Sequence, residues 1–169
     1  TNPIRVKFKP LANTRFIFDV GTFVLSGVPA VQSPFGACFF IDQTDNVWIE
    51  GQGEGRTNFK LDAGSECATF AVKDSRNFRL TNASLDGNKA NNTSIADDTF
   101  QTGVMFIGTG LAAGVQMNGV VEDVEIHDFN HYGISWYGQN SGGTKVNRVH
   151  AHDNGKAETY GIGTGFMAV

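Results

Sequence analysis

Three features of the sequence predict an all-β protein, specifically a right-handed parallel β-helix (solenoid) of about five coils. The 169 residues include 21 Gly and 14 Phe but only 4 Pro, and 18% are charged, a composition that suits short strands joined by turns. Apolar and polar residues alternate in short runs, as in strands with one buried face. These runs recur at offsets of about 25 to 31 residues, which indicates a solenoid. A β-sandwich also alternates, but it does not predict aligned turn residues at a fixed offset.

The first repeat pairs the segment Phe39–Ile49 with Phe70–Leu80, at an offset of 31 residues. Each segment has an alternating run, a polar turn that ends in Asn, and a second alternating run, as expected for strand, turn and strand. In a parallel stack, equivalent residues of successive coils lie about 4.8 Å apart. We therefore expect Asn46 and Asn77 to stack at a turn, where Asn can adopt the left-handed conformation.

The second repeat pairs Val120–Asp128 with Lys145–Asp153, at a somewhat shorter offset. The alignment places His127 over His152, and each histidine is followed by an aspartate. Both repeats predict ladders of like residues, with an apolar column inside the solenoid and a long flat face outside it.

Residues 1–169 are predicted to form one β-helix domain that is incomplete at both ends, and therefore a fragment of a longer β-helix. A solenoid has to cap its ends, but neither end shows a capping helix, and the chain stops in mid-pattern at Gly163–Val169. The longest irregular segment, Asn88–Thr102, either borders a binding site or is a surface loop. Cys38 and Cys67 are separated by nearly the length of one coil, so we expect them to be neighbours, either as two buried thiols or as a disulfide.

Charge and hydropathy argue against two classes of partner. The net charge is −4 without any run of basic residues, whereas nucleic-acid binding requires clustered Lys and Arg. No run of 18 apolar residues is present, so no membrane-spanning helix is predicted. A neutral polysaccharide is compatible with this composition, while a polyanionic one would need a local basic patch that the sequence does not reveal.

The His-Asp repeats are the most suggestive candidates for chemistry. His127, Asp128, His152 and Asp153 form either His–carboxylate pairs at the edge of a groove or a turn ladder, in which the imidazoles stack and the carboxylates accept backbone N–H bonds. Strict alternation would put His127 and Asp128 on opposite sides of the strand, unless a turn begins there.

Three further carboxylates, Asp86, Asp97 and Asp98, are candidate substrate-binding groups. Paired carboxylates can hydrolyse a glycosidic bond when they lie about 5 to 9.5 Å apart, although Asp86 also suits a turn and the other two also suit a solvated loop. Asp97 and Asp98 are adjacent in the sequence and could together bind Ca²⁺, but no complete calcium-loop motif is present. No spacing of His and Cys indicates zinc. The sequence thus predicts no cofactor beyond this possible Ca²⁺, and no metal-site residues.

Aromatic residues are candidates for a sugar platform, because aromatic rings can pack on the C–H faces of sugars. The candidates are Trp48, Tyr132, Trp136, Tyr137 and Tyr160, with ordinary packing as the alternative. Tyr132 and Tyr160 begin matching Tyr-Gly-Ile segments that are separated by about one coil, so we expect them on one side of the solenoid.

Four segments resemble a known family: Asp45–Leu61, Leu85–Asn92, Asp123–Ile134 and Ala151–Gly155. They are similar to the catalytic module of mannuronan epimerases and to the wider pectate-lyase-like β-helix superfamily, which includes phage tailspike depolymerases. The resemblance covers roughly residues 16–163. It implies the β-helix fold and a polysaccharide substrate, with the fold better supported than the activity because most of the shared motifs are structural.

The resemblance also implies a catalytic strand. In the epimerases a Tyr-Gly-aromatic strand contains the catalytic Tyr, Asp and His. Tyr132 matches the tyrosine, whereas Ser135 and Tyr137 occupy the places of the acid and the histidine. Epimerisation or elimination needs a base that removes a sugar proton and an acid that returns or donates one, so Tyr132 alone would supply one of the two roles.

The sequence therefore predicts an extracellular, secreted or virion-associated polysaccharide-processing β-helix of the depolymerase, lyase or epimerase type. The predicted catalytic residues are Tyr132, His127, Asp128, His152 and Asp153. The predicted substrate-binding residues are Trp136, Tyr137, Tyr160, Asp86, Asp97 and Asp98. The alternative is a non-catalytic spike, adhesin or assembly component that binds glycan or partner chains, for example as a homotrimer. The loss of the acid and the base and the uncapped ends favour this alternative.

Overall fold

The computed structural model describes residues 11–26, 36–65, 67–92, 101–155 and the backbone of 166–168. These ranges contain twelve strands and one 3-10 turn, Lys89–Asn91. None of their helical segments has the length and apolar character needed to cross a bilayer. The strands are β1 (Thr14–Ile17), β2 (Gly21–Leu25), β3 (Ala37–Asp42), β4 (Val47–Glu50), β5 (Thr57–Leu61), β6 (Ala68–Lys73), β7 (Arg79–Asp86), β8 (Val104–Ile107), β9 (Val120–His127), β10 (Ile134–Tyr137), β11 (Lys145–His152) and β12 (Phe166–Ala168).

The strands form two parallel sheets. Sheet A has the order β1-β4-β7-β5-β2, with β9 paired to β7 and β11 paired to β9. Sheet B has the order β12-β10-β8-β6-β3. The chain alternates between the sheets, so that each coil adds one strand to sheet B and one continuous or broken strand to sheet A. The predicted all-β parallel β-helix of about five coils is confirmed.

The strand registers match the offsets seen in the sequence. Phe39 pairs with Phe70 across β3 and β6, and Val121 pairs with Val146 across β9 and β11. Equivalent side chains therefore lie over one another in successive coils, as predicted.

An apolar column fills the interior between the sheets. The ring of Phe70 stacks on that of Phe39, with centroids 4.8 Å apart, and meets Phe59 edge-on at 5.5 Å. Phe106 continues the column in the next coil, with Trp136 stacked on it at 6.3 Å. Aromatic contacts of this kind stabilise the core beyond the area they bury, so they connect successive coils in addition to the backbone hydrogen bonds.

An asparagine ladder forms one corner of the solenoid. Asn13, Asn46, Asn77 and Asn118 all have positive φ, between 52° and 61°. The amide Nδ2 of Asn46 donates to Oδ1 of Asn13 at 2.8 Å, and that of Asn77 donates to Oδ1 of Asn46 at 2.9 Å. The corner requires a left-handed residue, which Asn tolerates better than most residues do. The predicted stacking of Asn46 and Asn77 is confirmed.

A second ladder of left-handed residues bends the strands of sheet A. Asn82, Asp123 and Arg148 have φ of 57°, 54° and 48° within β7, β9 and β11. In the preceding coil, the segment 51–56 occupies this place and separates β4 from β5. Gly51 approaches the next coil so closely that a Cβ atom would lie 2.2 Å from the backbone oxygen of Asn82. The close packing of the two coils therefore requires glycine here.

Cys38 and Cys67 are free thiols in neighbouring coils, with their Sγ atoms 3.1 Å apart. Their predicted proximity is confirmed. Of the two states considered, the structure has two thiols and not a disulfide. The hydrogen bond to Cys67, burial and the charge of Cys67 together raise the pKa of Cys38.

Candidate functional site

Two columns of polar side chains cover part of the outer face of sheet A. The residues that alternate with them along the strands, such as Phe59, Leu85 and Ile126, are fully buried. Since neighbouring residues of a strand point to opposite faces, these polar side chains point outward. The first column contains Lys60, Asp86, His127 and His152, and the second contains Asn58, Ser84, Glu125 and His150. We call these eight residues the histidine face.

The aspartate that follows each stacked histidine holds its ring. The imidazoles of His127 and His152 are nearly parallel, with centroids 5.2 Å apart and 5° between the planes. Nδ1 of His127 lies 2.9 Å from a carboxylate oxygen of Asp128, and Nδ1 of His152 lies 2.8 Å from one of Asp153. Because an ionised carboxylate only accepts hydrogen bonds, Nδ1 holds the proton, and Nε2 is left for another partner.

The backbone explains how these adjacent residues meet. Asp128 and Asp153 have φ of 57° and 52°, a left-handed conformation that Asp adopts more readily than most residues. Strict alternation would send His127 and Asp128 to opposite sides of β9. The left-handed residue instead ends the strand and turns its carboxylate back toward the imidazole. A turn therefore does begin at this point, and the imidazoles stack as in the predicted turn ladder.

Glu125 connects the two columns of the histidine face. One of its carboxylate oxygens accepts a hydrogen bond from Oγ of Ser84 at 2.9 Å, and the other lies 3.3 Å from Nε2 of His152. Partial burial raises the pKa of Glu125, but the hydrogen bonds from Ser84 and His152 and the nearby charge of both imidazoles outweigh it, so that the pKa lies below its usual value. Glu125 is therefore ionised at neutral pH.

His152 and Asp153 form a charge-assisted pair. The hydrogen bond to Asp153 is the main cause that raises the pKa of His152, and the contact with Glu125 adds to it, although burial opposes both. The hydrogen bond from His152 is also the main cause that lowers the pKa of Asp153. His152 therefore takes up a proton at higher pH than an ordinary histidine does.

Asp86 and two lysines complete the site. Asp86 is buried, lies opposite His127 in the register of β7 and β9, and forms a salt bridge with Lys60. The ammonium group of Lys89 donates a hydrogen bond to the backbone oxygen of Asp153. The two lysines offset part of the negative charge of the carboxylates that lie beside the histidines.

This arrangement is suited to proton transfer. An imidazole whose Nδ1–H is held by a carboxylate can accept a proton at Nε2, and the same carboxylate stabilises the charged ring that results. The face could also bind a metal ion, because two groups of side chains each bring three ligand atoms within 4.8 Å of one another. The groups are Glu125, His150 and His152, and Asp86, His127 and Asp128.

The strand that the family resemblance implies as catalytic lies on sheet B. Tyr132 is half-buried in the turn before β10, and Gly103 donates a backbone hydrogen bond to its carbonyl oxygen. Ser135 lies opposite Met105 and Tyr137 opposite Ile107 in the register of β10 and β8. Ser135 is buried, and its Oγ has no hydrogen-bond partner.

The outer face of sheet B around these residues is mainly apolar. A buried cluster separate from the main core lies there, and Phe40 packs against it. The buried members of this cluster are Ala37, Ala68, Ala71, Met105 and Ile107. Asp42 and Lys73 lie in the same column as Tyr137, in earlier coils, but they pair with each other at 3.7 Å. Among the described residues, the ionisable groups are therefore concentrated on sheet A.

The other predicted aromatic residues that the structure describes lie outside the histidine face. Trp136 lies on the inner side of β10 and packs against the core, which favours the packing alternative for this residue. Trp48 faces outward, but β4 lies between β1 and β7, and the guanidinium groups of Arg15 and Arg79 lie 4.1 and 4.8 Å from its ring centroid. Both ring faces of Trp48 are thereby covered, which argues against a sugar platform there. Tyr137 is 44% exposed. Tyr160, Asp97 and Asp98 lie outside the described residues.

Glu125, His150 and Ser84 also belong to the site, although none of them was predicted from the sequence. A signal for two of them was present, because the offset that aligns His127 with His152 also aligns Glu125 with His150. Ser84 could not be found in this way, since it lies 41 residues before Glu125, an offset that neither recognised repeat contains.

Comparison with known proteins gives a distant similarity to one kind of enzyme. No family model matches the chain, and no solved structure matches it significantly. The mannuronan C5-epimerase AlgE6 of Azotobacter vinelandii is 30% identical over 137 residues, which are 76% of this chain and 14% of that protein. The mannuronan C5-epimerase AlgE4 of the same organism is 30% identical over 134 residues, which are 76% of this chain and 23% of that protein.

A third similar protein is the mannuronan C5-epimerase AlgE1 of the same organism, with 30% identity over 117 residues, 66% of this chain and 8% of that protein. The chain thus spans less than a quarter of the length of these curated relatives. The resemblance to mannuronan epimerases found in the sequence is supported at this distant level.

Proposed function

We propose that the chain is part of a β-helix that processes uronic-acid polysaccharide outside the cell, and that the histidine face is its reactive surface. The observation that supports this most directly is the pair of stacked imidazoles, each held through Nδ1 by a carboxylate. Its context is a parallel β-helix with sequence similarity to three mannuronan C5-epimerases. Lys60 and Lys89 offset part of the negative charge of Asp86 and Asp153 at this face, which reduces the repulsion of the carboxylate groups of such a glycan.

The proposed reaction is β-elimination. One imidazole removes the proton at C5, next to the sugar carboxylate, and the C–H electron pair forms the C4–C5 double bond. The C4–O bond breaks, and the leaving oxygen takes a proton from the second, charged imidazole. Inversion at C5 would instead require a proton returned from the opposite side of the sugar ring. Both imidazoles belong to one flat face, so a glycan lying on it meets them from one side, which favours elimination over epimerisation.

The experiment is incubation of the protein with polymannuronate, polyguluronate and polygalacturonate, with detection of unsaturated chain ends by ultraviolet absorbance. We expect unsaturated product from at least one polymer. His127→Asn and His152→Asn should each lower the rate about 100-fold or more, the usual contribution of general acid–base catalysis. Asn147→Ala changes an exposed residue elsewhere on the outer face of β11 and is the matched control, with an unchanged rate.

Two results would contradict the proposal. Folded protein that gives no product from any polymer would exclude the reaction for this substrate class. A change in the ratio of mannuronate to guluronate without chain cleavage, measured by proton NMR, would show inversion at C5 and refute the one-sided mechanism.

A second candidate function has specific support on sheet B. The acid and the histidine expected there are replaced by Ser135 and Tyr137, which favours a non-catalytic spike, adhesin or assembly component. We propose a homotrimer as its form, and light scattering of the protein is the test. A monomer that cleaves glycan would exclude this candidate, and a trimer that binds the polymers without cleaving them would support it.

A further inference from the structure

We propose that Glu125, His150 and His152 bind a divalent transition-metal ion of the zinc class on the outer face of β9 and β11. This inference goes beyond the proposed elimination and does not depend on it. It also departs from the sequence analysis, in which no spacing of His and Cys indicated zinc. The relevant pattern, His-x-His in one strand with Glu on the neighbouring coil, becomes visible only when the strand register is known.

The β-helix brings the three ligands together by simple geometry. His150 and His152 are two residues apart in β11, so their side chains leave the same side of the strand. Glu125 is the direct partner of His150 in the register of β9 and β11, and parallel neighbours lie about 4.8 Å apart. Three of the four histidines of the chain lie on this one face.

The distances are close to those of a tetrahedral site. With metal–ligand bonds of about 2.0 to 2.2 Å, two ligand atoms of a tetrahedral zinc ion lie roughly 3.4 Å apart. Oε1 of Glu125 and Nε2 of His152 are 3.3 Å apart, and the ligand atoms of all three residues lie within 4.8 Å of one another. The remaining adjustment falls on His150, whose ring is exposed and lies 4.4 Å from that of His152 between centroids.

Neighbouring groups already orient two of the ligands. Nδ1 of His152 is held by Asp153 at 2.8 Å, so Nε2 faces Glu125, as in the carboxylate–histidine–metal arrangement that fixes the ring and increases its basicity. The second carboxylate oxygen of Glu125 is held by Ser84 at 2.9 Å. Such outer contacts are typical of metal sites, and both are present here.

The ligand types select the class of ion. Two imidazoles and one carboxylate suit Zn²⁺, Cu²⁺ or Ni²⁺, whereas Ca²⁺ prefers six to eight oxygen ligands. Three protein ligands leave one tetrahedral position for water or for a substrate oxygen. The ion would also occupy the lone pair of His152 Nε2, so it would remove this imidazole from proton transfer.

The second group of possible ligands, Asp86, His127 and Asp128, is a weaker site. The ammonium group of Lys60 forms a salt bridge with Asp86, and a fixed positive charge beside the ligand atoms repels a cation. The two groups lie in adjacent parts of the same face, so variants of His127 and His150 can tell them apart.

The experiment is a titration of the protein with Zn²⁺ in competition with a chromophoric chelator at neutral pH, followed by long-range ¹H–¹⁵N NMR spectra of the histidine rings. We expect one ion per chain, with changes at the imidazole nitrogens of His150 and His152. His150→Asn and Glu125→Gln should each weaken binding about tenfold or more. Asn147→Ala, an exposed residue of the same strand, should bind as the unchanged protein does.

Three outcomes would overturn the proposal. The first is the absence of saturable Zn²⁺ binding, and the second is equal affinity for Ca²⁺, which would indicate attraction by carboxylates alone. The third is binding that survives His150→Asn or is lost only in His127→Asn. Binding at the Cys38–Cys67 thiols would leave the imidazole signals unchanged, so the NMR spectra distinguish it from binding at the histidines. None of these measurements uses glycan, so their result is independent of the proposed elimination.

Discussion

Replacing Gly51 by alanine tests whether adjacent coils pack as closely as the structure requires. The added Cβ would lie 2.2 Å from the backbone oxygen of Asn82 and 2.7 Å from Cβ of Thr57, so the two coils must move apart. Gly51 N donates to Thr81 O at 2.9 Å, and Gly53 N donates to Asn82 O at 2.8 Å. Losing both bonds costs roughly 1 kcal/mol each, and overpacking adds about 1 to 3 kcal/mol. We expect Gly51→Ala to lower the free energy of unfolding by about 4 kcal/mol.

Gly55→Ala is the matched control in the same segment. Gly55 has φ of +68° and no atom within 4 Å of an added Cβ, so only the left-handed backbone is penalised, by about 1 kcal/mol. Guanidinium unfolding followed by far-ultraviolet circular dichroism measures both variants, with stability compared at equal denaturant slope. If Gly51→Ala costs no more than Gly55→Ala, the two coils are not in close contact at Asn82, and the packing described for this bend of sheet A is wrong.

Three further predictions concern side-chain contacts between successive coils. Asn77→Ala should be about 1 kcal/mol less stable than Asn77→Gly. Both variants lose the side-chain hydrogen bond to Asn46, but only alanine strains the left-handed backbone. Equal denaturation midpoints would contradict this. Oxidation of Cys38 and Cys67, 29 residues apart, should join them in a disulfide and stabilise the protein by about 3 to 4 kcal/mol through loop closure. Two thiols that still react when the oxidised protein is unfolded would contradict it. The hydrogen bond from Arg76 lowers the pKa of Asp45. This pair therefore stabilises the fold at pH above the ordinary Asp pKa, and the stabilisation is lost as the pH falls through the lowered pKa. Thermal unfolding across acidic pH should show that the Asp45→Asn variant loses less stability on acidification than the unchanged protein does.

Much of the fold could be predicted because the ladders repeat both their strands and their turns. The alignment of Asn46 with Asn77 fixed the phase of one repeat, and the shared His-Asp dipeptides fixed the other. The connection between the two repeats could not be predicted in this way. Ser84 and Glu125 lie in neighbouring strands yet are 41 residues apart, because a long connection between β7 and β9 contains the extra residues. This pairing is set by the hydrogen-bond register of β7 and β9. Sequence periodicity does not reveal the register of two strands when an insertion lies between them.

The candidate site was predictable in part for a related reason. The stacking of His127 on His152 follows from their common offset, but the side on which Asp128 lies does not follow from alternation. A single left-handed residue, with φ of 57° at Asp128, reverses the expected direction. Trp136 shows the opposite case, since its large polar-edged ring suggested a sugar contact while its strand position directs it into the core. Local backbone conformation and strand phase therefore limit what residue type alone can indicate.

The interruption of sheet A at 51–56 has a practical consequence for engineering. Successive coils have different lengths, yet the outward columns on either side of the interruption keep their alignment, because surplus residues leave the sheet at a bend instead of shifting the strands. Residues 54–56 are exposed there. A reporter peptide or an epitope grafted between Gly53 and Gly55 would be displayed at a fixed height along the solenoid axis, without displacing the chemistry on the neighbouring strands.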